Sequence, residues 1–343
     1  MAKDARLYQI GFLALFLLLG VGTRDWSLDP IVVLTAIATC LVTQTLCGAV
    51  FDSSDTKTET VDNADNADNA DNADNADNAD NIDNFWRAIP AGKVRCTACA
   101  NALQIAQRCG NPQRLSSLLS ALVTGLGMSL LLRVEHPLTM ALAVMGAIAS
   151  KFLLRLRGKH VFNPGNFGIV MALLLSDDAW VSPGQWGESG WYGLLFLGAG
   201  GLVLQKVGRW DTSAAFLGSY AALEAARNLW LGWTWDVWAH RLTSGSLLVF
   251  ALFMITDPRT IPNSRAGRLI WAGAIALLTF ILRNVFFIST APFWALFALA
   301  PLTLLLDGLL PADRFEWSQS LLHLPFSLRL APRLAIRQKY VSE

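Results

Sequence analysis

Apolar runs separated by short polar connections organise this chain. Ten of them are candidates for membrane-crossing helices: residues 7–22, 31–51, 115–132, 138–154, 167–181, 190–204, 213–231, 242–256, 269–288 and 293–310. A spanning helix takes about 20 mostly apolar residues, so several of these runs are short. The pattern predicts an all-α polytopic membrane protein with about ten transmembrane helices. Trp26, Trp180, Trp191, Trp210, Trp230 and Trp271 fall near the expected ends, where amphipathic rings settle at a membrane interface. Two junctions stand out. Asn163-Pro164 precedes the apolar run from Ile169, and Asp257-Pro258 follows the run that ends at Ile255. Each proline removes a backbone donor and biases the residue before it away from helical geometry.

Composition agrees, with 53% hydrophobic and 15% charged residues. Basic residues recur in alternate connections: Lys3 and Arg6; Lys93, Arg95, Arg108 and Arg114; Lys151, Arg155, Arg157 and Lys159; Lys206 and Arg209; Arg259, Arg265 and Arg268. The tail adds Arg314, Arg329, Arg333, Arg337 and Lys339. Cytoplasmic connections are enriched in such residues, so a multi-pass protein of the cell inner (plasma) membrane with both termini cytoplasmic is expected. No small-residue cleavage site is evident before Trp26, so the first run is expected to remain as a helix.

The chain therefore divides into two N-terminal spans (1–51), a cytoplasmic loop (52–114), an eight-helix membrane core (115–310) and a basic tail (311–343). Within the loop, six Asp-Asn-Ala triplets run from Asp62 to Ala79, and residues 52–84 hold 11 acids and one base. That leaves 26 basic against 15 acidic residues elsewhere. The repeat at 62–84 has little to bury and is expected to be disordered. It lacks the glycine and the bidentate terminal Glu of an EF-hand loop. The expected partners are the lipid bilayer and other protein subunits, with no nucleic acid.

Several polar groups admit both a structural and a functional role. Cys96, Cys99 and Cys109 have C-x2-C-x9-C spacing, but three thiolates do not complete a zinc or iron–sulfur site. No metal is therefore expected, and Cys40 and Cys47 read as packing residues. Glu224 and Arg227, three apart on one helix, are expected to pair inside the membrane, structurally or in ion coupling. Lys151, Arg155 and Arg283 are expected to snorkel to the surface. Asn163 either caps a helix or, with Lys159, His160 and Asn166, frames a helix N-terminus suited to an anion. Asp257 either caps or pairs with Arg259 or Arg268. Together with Thr260, these residues form one candidate cofactor-binding site, and no catalytic residue is evident.

Certain short motifs, in order, resemble a known family. They are Leu122-Val123-Thr124-Gly125-Leu126, Phe162-Asn163-Pro164, Gln205-Lys206, Ser244-Gly245, Thr256-Asp257-Pro258 with Thr260, and Gly267-Arg268-Leu269-Ile270. From about residue 115 to 310 the chain resembles the NqrB membrane subunit of the sodium-translocating NADH:quinone oxidoreductase and the RnfD membrane subunit of the Rnf electron-transport complex. The resemblance implies ten helices in two similar five-helix halves, the Asn-Pro and Asp-Pro junctions occupying equivalent points. It further implies a core subunit of an electron-transport and ion-translocation assembly, with other redox subunits as partners. Family members carry FMN on a threonine between spans five and six, yet residues 161–211 contain no threonine. Ser244-Gly245-Ser246 reads as small packing residues. Covalent FMN is therefore not expected, and any flavin or quinone would be held noncovalently. In lacking the anchor the chain also resembles the membrane proteins of enediyne biosynthesis clusters. A non-redox carrier of an ion or small anionic metabolite, with a midplane site at the broken helices, is the alternative.

Overall fold

The computed structural model describes residues 5–23, 29–62, 112–156, 158–182 and 190–315. The triplet repeat from residue 63 on, Cys96, Cys99, Cys109 and the tail beyond 315 lie outside the described residues. The elements are α1 (Ala5–Thr23), α2 (Pro30–Asp62), α3 (Pro112–Leu131), β1 (Leu132–Val134), α4 (Pro137–Leu153), β2 (Arg155–Leu156), β3 (Lys159–His160) and α5 (Pro164–Leu175). There follow β4 (Ala179–Val181), α6 (Gly190–Val207), α7 (Trp210–Leu231), α8 (Trp235–Leu242) and α9 (Gly245–Val249), which runs into a π-helical turn (Phe250–Met254). Last come α10 (Arg265–Asn284), α11 (Ala291–Leu299) and α12 (Leu302–Leu309). The architecture is helical, and its only described strands form two short antiparallel pairs, β1 with β4 and β2 with β3.

This is a multi-pass membrane protein. Among the described residues, α1, α2 and α10 are each long and apolar enough to cross a membrane, and two bent pairs, α8 with α9 and its π turn and α11 with α12, raise that number to five. Large apolar side chains face outward on many helices, including Leu18, Leu34, Leu175, Leu229 and Trp230. Water would penalise such a surface, whereas lipid would not.

The helices depart from the expected spans in physically informative ways. The fifth run yields only the 12-residue α5, about 18 Å long at 1.5 Å per residue, well short of a bilayer core of about 30 Å. Beyond it the chain turns extended, and β4 pairs with β1. Asp178 in the intervening turn accepts from His136 N (3.2 Å), His136 Nδ1 (3.2 Å) and Thr139 Oγ1 (2.8 Å), capping the start of α4. Against a burial contribution that would raise it, the nearby Ser176 hydroxyl and the hydrogen bonds from Thr139 and His136 hold the Asp178 carboxyl down at about 2. Trp271 is not interfacial: it is fully buried and donates Nε1 to Leu299 O at 2.9 Å. Arg283 does not run freely to the surface, because it donates to the Tyr220 hydroxyl at 3.1 Å.

Packing separates the helices into two groups. α1 to α5 contact one another chiefly through α2 on α4, α4 on α5, α2 on α3 and α1 on α3, while α10 packs on α7 and α11. α6 and the π turn bridge the groups, and Phe16 of α1 stacks on Phe196 of α6 with ring centroids 3.8 Å apart. Two glycines set close approaches between helical elements. A Cβ at Gly168 would lie 2.7 Å from Ala143 O, and one at Gly200 would lie 2.7 Å from Leu252 Cδ1. Gly200 thus serves internal packing, whereas Gly198 and Gly201 face open space.

Gly168→Ala should lower the unfolding midpoint in detergent, at an overpacking cost of about 1–3 kcal/mol. Gly201→Ala, whose new methyl meets nothing within 4 Å, should leave it unchanged. Equal midpoints for the two variants would contradict this account of α4–α5 packing.

Candidate functional site

Pro258 follows the π turn by four residues, and that fixes the local chemistry. In a continuing α-helix the Met254 carbonyl would accept from residue 258, but Pro258 has no N–H. The last four carbonyls of the helical segment therefore need other donors. Side chains supply them, Ser213 donating to Ala251 O, Thr256 to Leu252 O at 3.1 Å, Gln9 to Phe253 O at 3.5 Å and Asn163 Nδ2 to Met254 O at 3.2 Å, where Asp257 N also reaches at 3.4 Å. Three of those four side chains come from other helices or their caps.

Asn163 is the pivotal one. Its backbone is extended (φ −64°, ψ 124°), Pro164 opens α5, and its Oδ1 accepts from Asn166 N at 3.0 Å as an N-cap. Its Nδ2 also lies 3.4 Å from Asp257 Oδ2. The two junctions picked out in the sequence thus meet. They do so in different roles, Asn163 at the start of a helix and Asp257 after the end of one. Asp257 Oδ1 accepts from Arg259 N at 3.1 Å, so it caps its own turn and does not pair with Arg268. Burial lifts the Asp257 carboxyl above the usual carboxylate range, against the opposing pull of the Arg259 backbone N–H and the nearby cations. Thr260 closes the turn, donating its hydroxyl to Asp257 O at 3.2 Å.

Above these groups lies a cleft between α1, α3, α4 and the start of α5 on one side and the bridging α6 and π segment on the other. Asn163, Asp257, Lys151 and Arg6 line its polar part, and Leu13, Met128, Val203 and Phe253 line its walls. Lys151 was expected to snorkel, but it is buried at 6% exposure, with Nζ 3.5 Å from Ser120 O. Its position four residues before Arg155 suggests a helix end, and only the packing of α2 and α3 on α4 reveals that it points inward.

The other expected site residues divide. Lys159, expected in the candidate cofactor-binding site, is buried and held by Asp307 Oδ2 at 2.6 Å and by Ile261 O. Its ammonium is pushed down by burial, and Asp307 partly opposes that. Arg268 is likewise committed. Nη2 reaches Asp211 Oδ2 at 2.6 Å, Nε approaches the same carboxylate at 3.1 Å, and Nη1 donates to Asn263 O at 2.7 Å. Asn166 is fully buried, donates Nδ2 to Phe293 O at 3.1 Å, and leaves Oδ1 without a partner. His160 has a buried Nδ1 with no partner. Burial first, and then Arg155, Arg259 and Lys151, push its ring down to about 3.

The expected Glu224–Arg227 pair is replaced. Glu224, 2% exposed, accepts from Arg241 at 3.0 Å, Tyr220 at 2.9 Å and Asn284 at 2.9 Å, while Arg227 lies over the Trp233 ring at 4.5 Å. Helical spacing marks residues that share a face, but it cannot show that α8 brings a better-placed arginine. Asp211, Asp307, Arg241 and Asn284 were missed because their partners lie far away in sequence.

Together these features define a polytopic helical membrane protein in which the start of one helix and the end of another meet beneath a polar-floored cleft. Residues 177–313 match the model of the NQR2, RnfD, RnfE family. This is narrower than the 115–310 expected from motifs and leaves the Asn163 junction outside the match. The chain is 36% identical over 99 residues to the D-subunit of the ion-translocating oxidoreductase complex of Actinobacillus pleuropneumoniae serotype 5b (strain L20), covering 28% of each chain. It is 34% identical over 149 residues to that of Stutzerimonas stutzeri, covering 43% of this chain and 38% of the relative. Against that of Vibrio vulnificus (strain YJ016) it is 34% identical over 97 residues, 27% of each. The matches span between 27% and 38% of these relatives' length. Over this region the chain is similar to the NQR2, RnfD, RnfE family and to those D-subunits.

The pH dependence of stability should carry the mark of His160. Its ring accepts a proton near 6.5 when unfolded but near 3 when folded, so the unfolded state binds more protons between those values. Its contribution is fully unfavourable below pH 3, shrinks as pH rises, and vanishes above 6.5. The unfolding midpoint of His160→Gln should accordingly fall less than that of the wild type on acidification through this window, and parallel curves would refute the buried, neutral ring.

Proposed function

We propose that this chain is the integral membrane subunit of an Nqr/Rnf-like electron-transport and ion-translocation assembly, built from ten spans in two similar halves. Other redox subunits are its partners, and its termini face the cytoplasm of the inner membrane. The observation that carries this reading is the meeting of Asn163 and Asp257 at the floor of the cleft, beside buried Lys151. A broken helix in a membrane leaves backbone groups that only protein can satisfy, and such breaks recur where ions or substrates cross.

The cleft also suits a noncovalent flavin or quinone by its donor set. Apolar walls from Leu13, Met128, Val203 and Phe253 fit ring faces, and Lys151, Asn163 and Asp257 offer donors and a carboxylate to a polar ring edge. Such a group, when bound, would supply reversible electron transfer. Lys151 would favour negative charge at that edge, Asn163 would orient it, and the apolar walls would exclude water. Covalent FMN attachment is not part of this proposal, since residues 161–211 lack threonine. The relatives' printed names support the complex, and the absent anchor supports the noncovalent mode.

That same absence favours a second reading, a non-redox carrier whose midplane site is this cleft. Absorbance of the purified protein before and after denaturation separates the two. Flavin or quinone released on denaturation supports the redox subunit. A flat visible spectrum without extractable quinone, together with proteoliposome uptake that needs no electron donor, supports the carrier.

In either case Asn163→Ala should yield inserted but inactive protein. Losing the Met254 partner costs about 1–3 kcal/mol, less than insertion of so many apolar helices provides. Asp257→Ala should behave alike. Near-normal electron transfer or uptake in both variants, with normal membrane yield, would return these residues to ordinary capping.

A further inference from the structure

Exposed aromatic rings collect at one end of the helix pair formed by α7 and α10. The two helices run parallel, since Arg268 meets Asp211 near both N-termini and Asn284 Nδ2 meets Glu224 Oε1 at 2.9 Å near both C-termini. α10 holds 20 residues, about 30 Å at 1.5 Å per residue, which is the thickness of a hydrocarbon core. Its last residue, Asn284, therefore marks the level at which that core ends. Glu224 shares this level, yet α7 continues to Leu231, about 10 Å farther out. Arg241 brings α8 back to the same level, donating Nη1 to Asn284 Oδ1 at 2.7 Å and to Glu224 Oε2 at 3.0 Å. Trp238 pins α8 on α7 through Nε1 to Ala221 O at 2.9 Å. The backbone from Glu224 round to Arg241 thus lies at or beyond the edge of the core. α8 buries no residue and is bent by 52° from the segment that follows it.

The side chains on this stretch are not those of a loop in water. Trp230, at 89% exposure, faces outward with Trp233 and Trp235, and just past the end of α10 so do Phe286 and Phe287, the latter 82% exposed. Phe287 holds a left-handed backbone (φ 57°), uncommon for an aromatic residue, yet its ring gains almost no cover from the protein. Among the described residues none accepts a hydrogen bond from the indole N–H of Trp230, Trp233 or Trp235. Water penalises such an apolar surface, and acyl chains would leave the indole N–H groups without acceptors. The head-group and glycerol layer meets both demands, because it offers apolar depth beside ester and phosphate oxygens. The guanidinium of Arg227, 4.5 Å from the Trp233 ring, suits the same layer.

We propose that residues 229–241 form a lipid-docking collar, seated in the head-group layer of one leaflet, and that α8 is not the first half of a span. Its occupant is phospholipid, met by the aromatic rings and by hydrogen bonds from the indole N–H groups to ester and phosphate oxygens. The collar is separate from the cleft and does not depend on what the cleft carries.

Fluorine NMR of the full-length protein, labelled with fluorotryptophan and held in phosphatidylcholine nanodiscs, tests this. Trp230→Phe and Trp235→Phe, both exposed changes with little folding risk, identify their resonances by disappearance. A nitroxide carried on the lipid head group should broaden both resonances more than a nitroxide at the acyl-chain end does. Stronger broadening by the chain-end nitroxide would put α8 in the acyl region, as half of a span, and overturn the proposal. Broadening by a water-soluble paramagnetic chelate, with none from either lipid, overturns it in favour of a solvated loop. Sharp resonances with all three probes also overturn it, and assign the surface to a second protein chain.

Discussion

A helix that breaks inside a membrane protein must find donors for its last carbonyls within the protein, and this constraint organises the middle of the molecule. The π turn at Phe250–Met254 shifts the hydrogen-bond register, so Ile255 N reaches Phe250 O at 3.0 Å, and Pro258 then ends the ladder. Ser213 from α7, Gln9 from α1 and Asn163 before α5 converge on the freed carbonyls. Those three contacts tie the break to both helix groups at once. Asn163 is the most constrained, because one carboxamide caps α5 with its oxygen and serves Met254 and Asp257 with its nitrogen.

Elsewhere the groups are locked by buried ion pairs. Arg268 of α10 grips Asp211 of α7 through Nε and Nη2, both residues being nearly inaccessible. At the other end of the same helix pair, Glu224 gathers Arg241, Tyr220 and Asn284. Removing one partner from such a pair costs about 3–5 kcal/mol, since a charge is left buried without compensation, even though the intact pair adds little over a well-packed apolar core. These contacts fix the register of α7 on α10 more than they add net stability, and they account for why Arg268 is unavailable to a ligand.

The apolar runs were legible because membrane burial imposes length and composition on a continuous segment, and the two proline junctions because proline acts on its immediate neighbours. Cross-chain partners were not. Lys159 and Arg268 looked like surface cations because Asp307 and Asp211 sit 148 and 57 residues away. Glu224 and Arg227 looked paired because only their shared face was visible. α5 looked like a full span because β4 continues its apolar character in extended form, and periodicity cannot separate a short helix plus strand from a longer helix.

The turn from Asp257 to Arg259 joins the cleft to a second cavity. Asp257 lines the cleft, Arg259 lines the second cavity, and Pro258 borders both. The carboxylate holds the Arg259 N–H and faces the Asn163 amide, so the turn cannot shift toward either cavity without lengthening a hydrogen bond on the other side. Burial raises the affinity of the Asp257 carboxyl for a proton, while the Arg259 backbone N–H and the charges of Arg259, Lys151 and Lys159 lower it. The charge state of the cleft floor and the placement of Arg259 in the second cavity are therefore set by one short, proline-stiffened piece of chain.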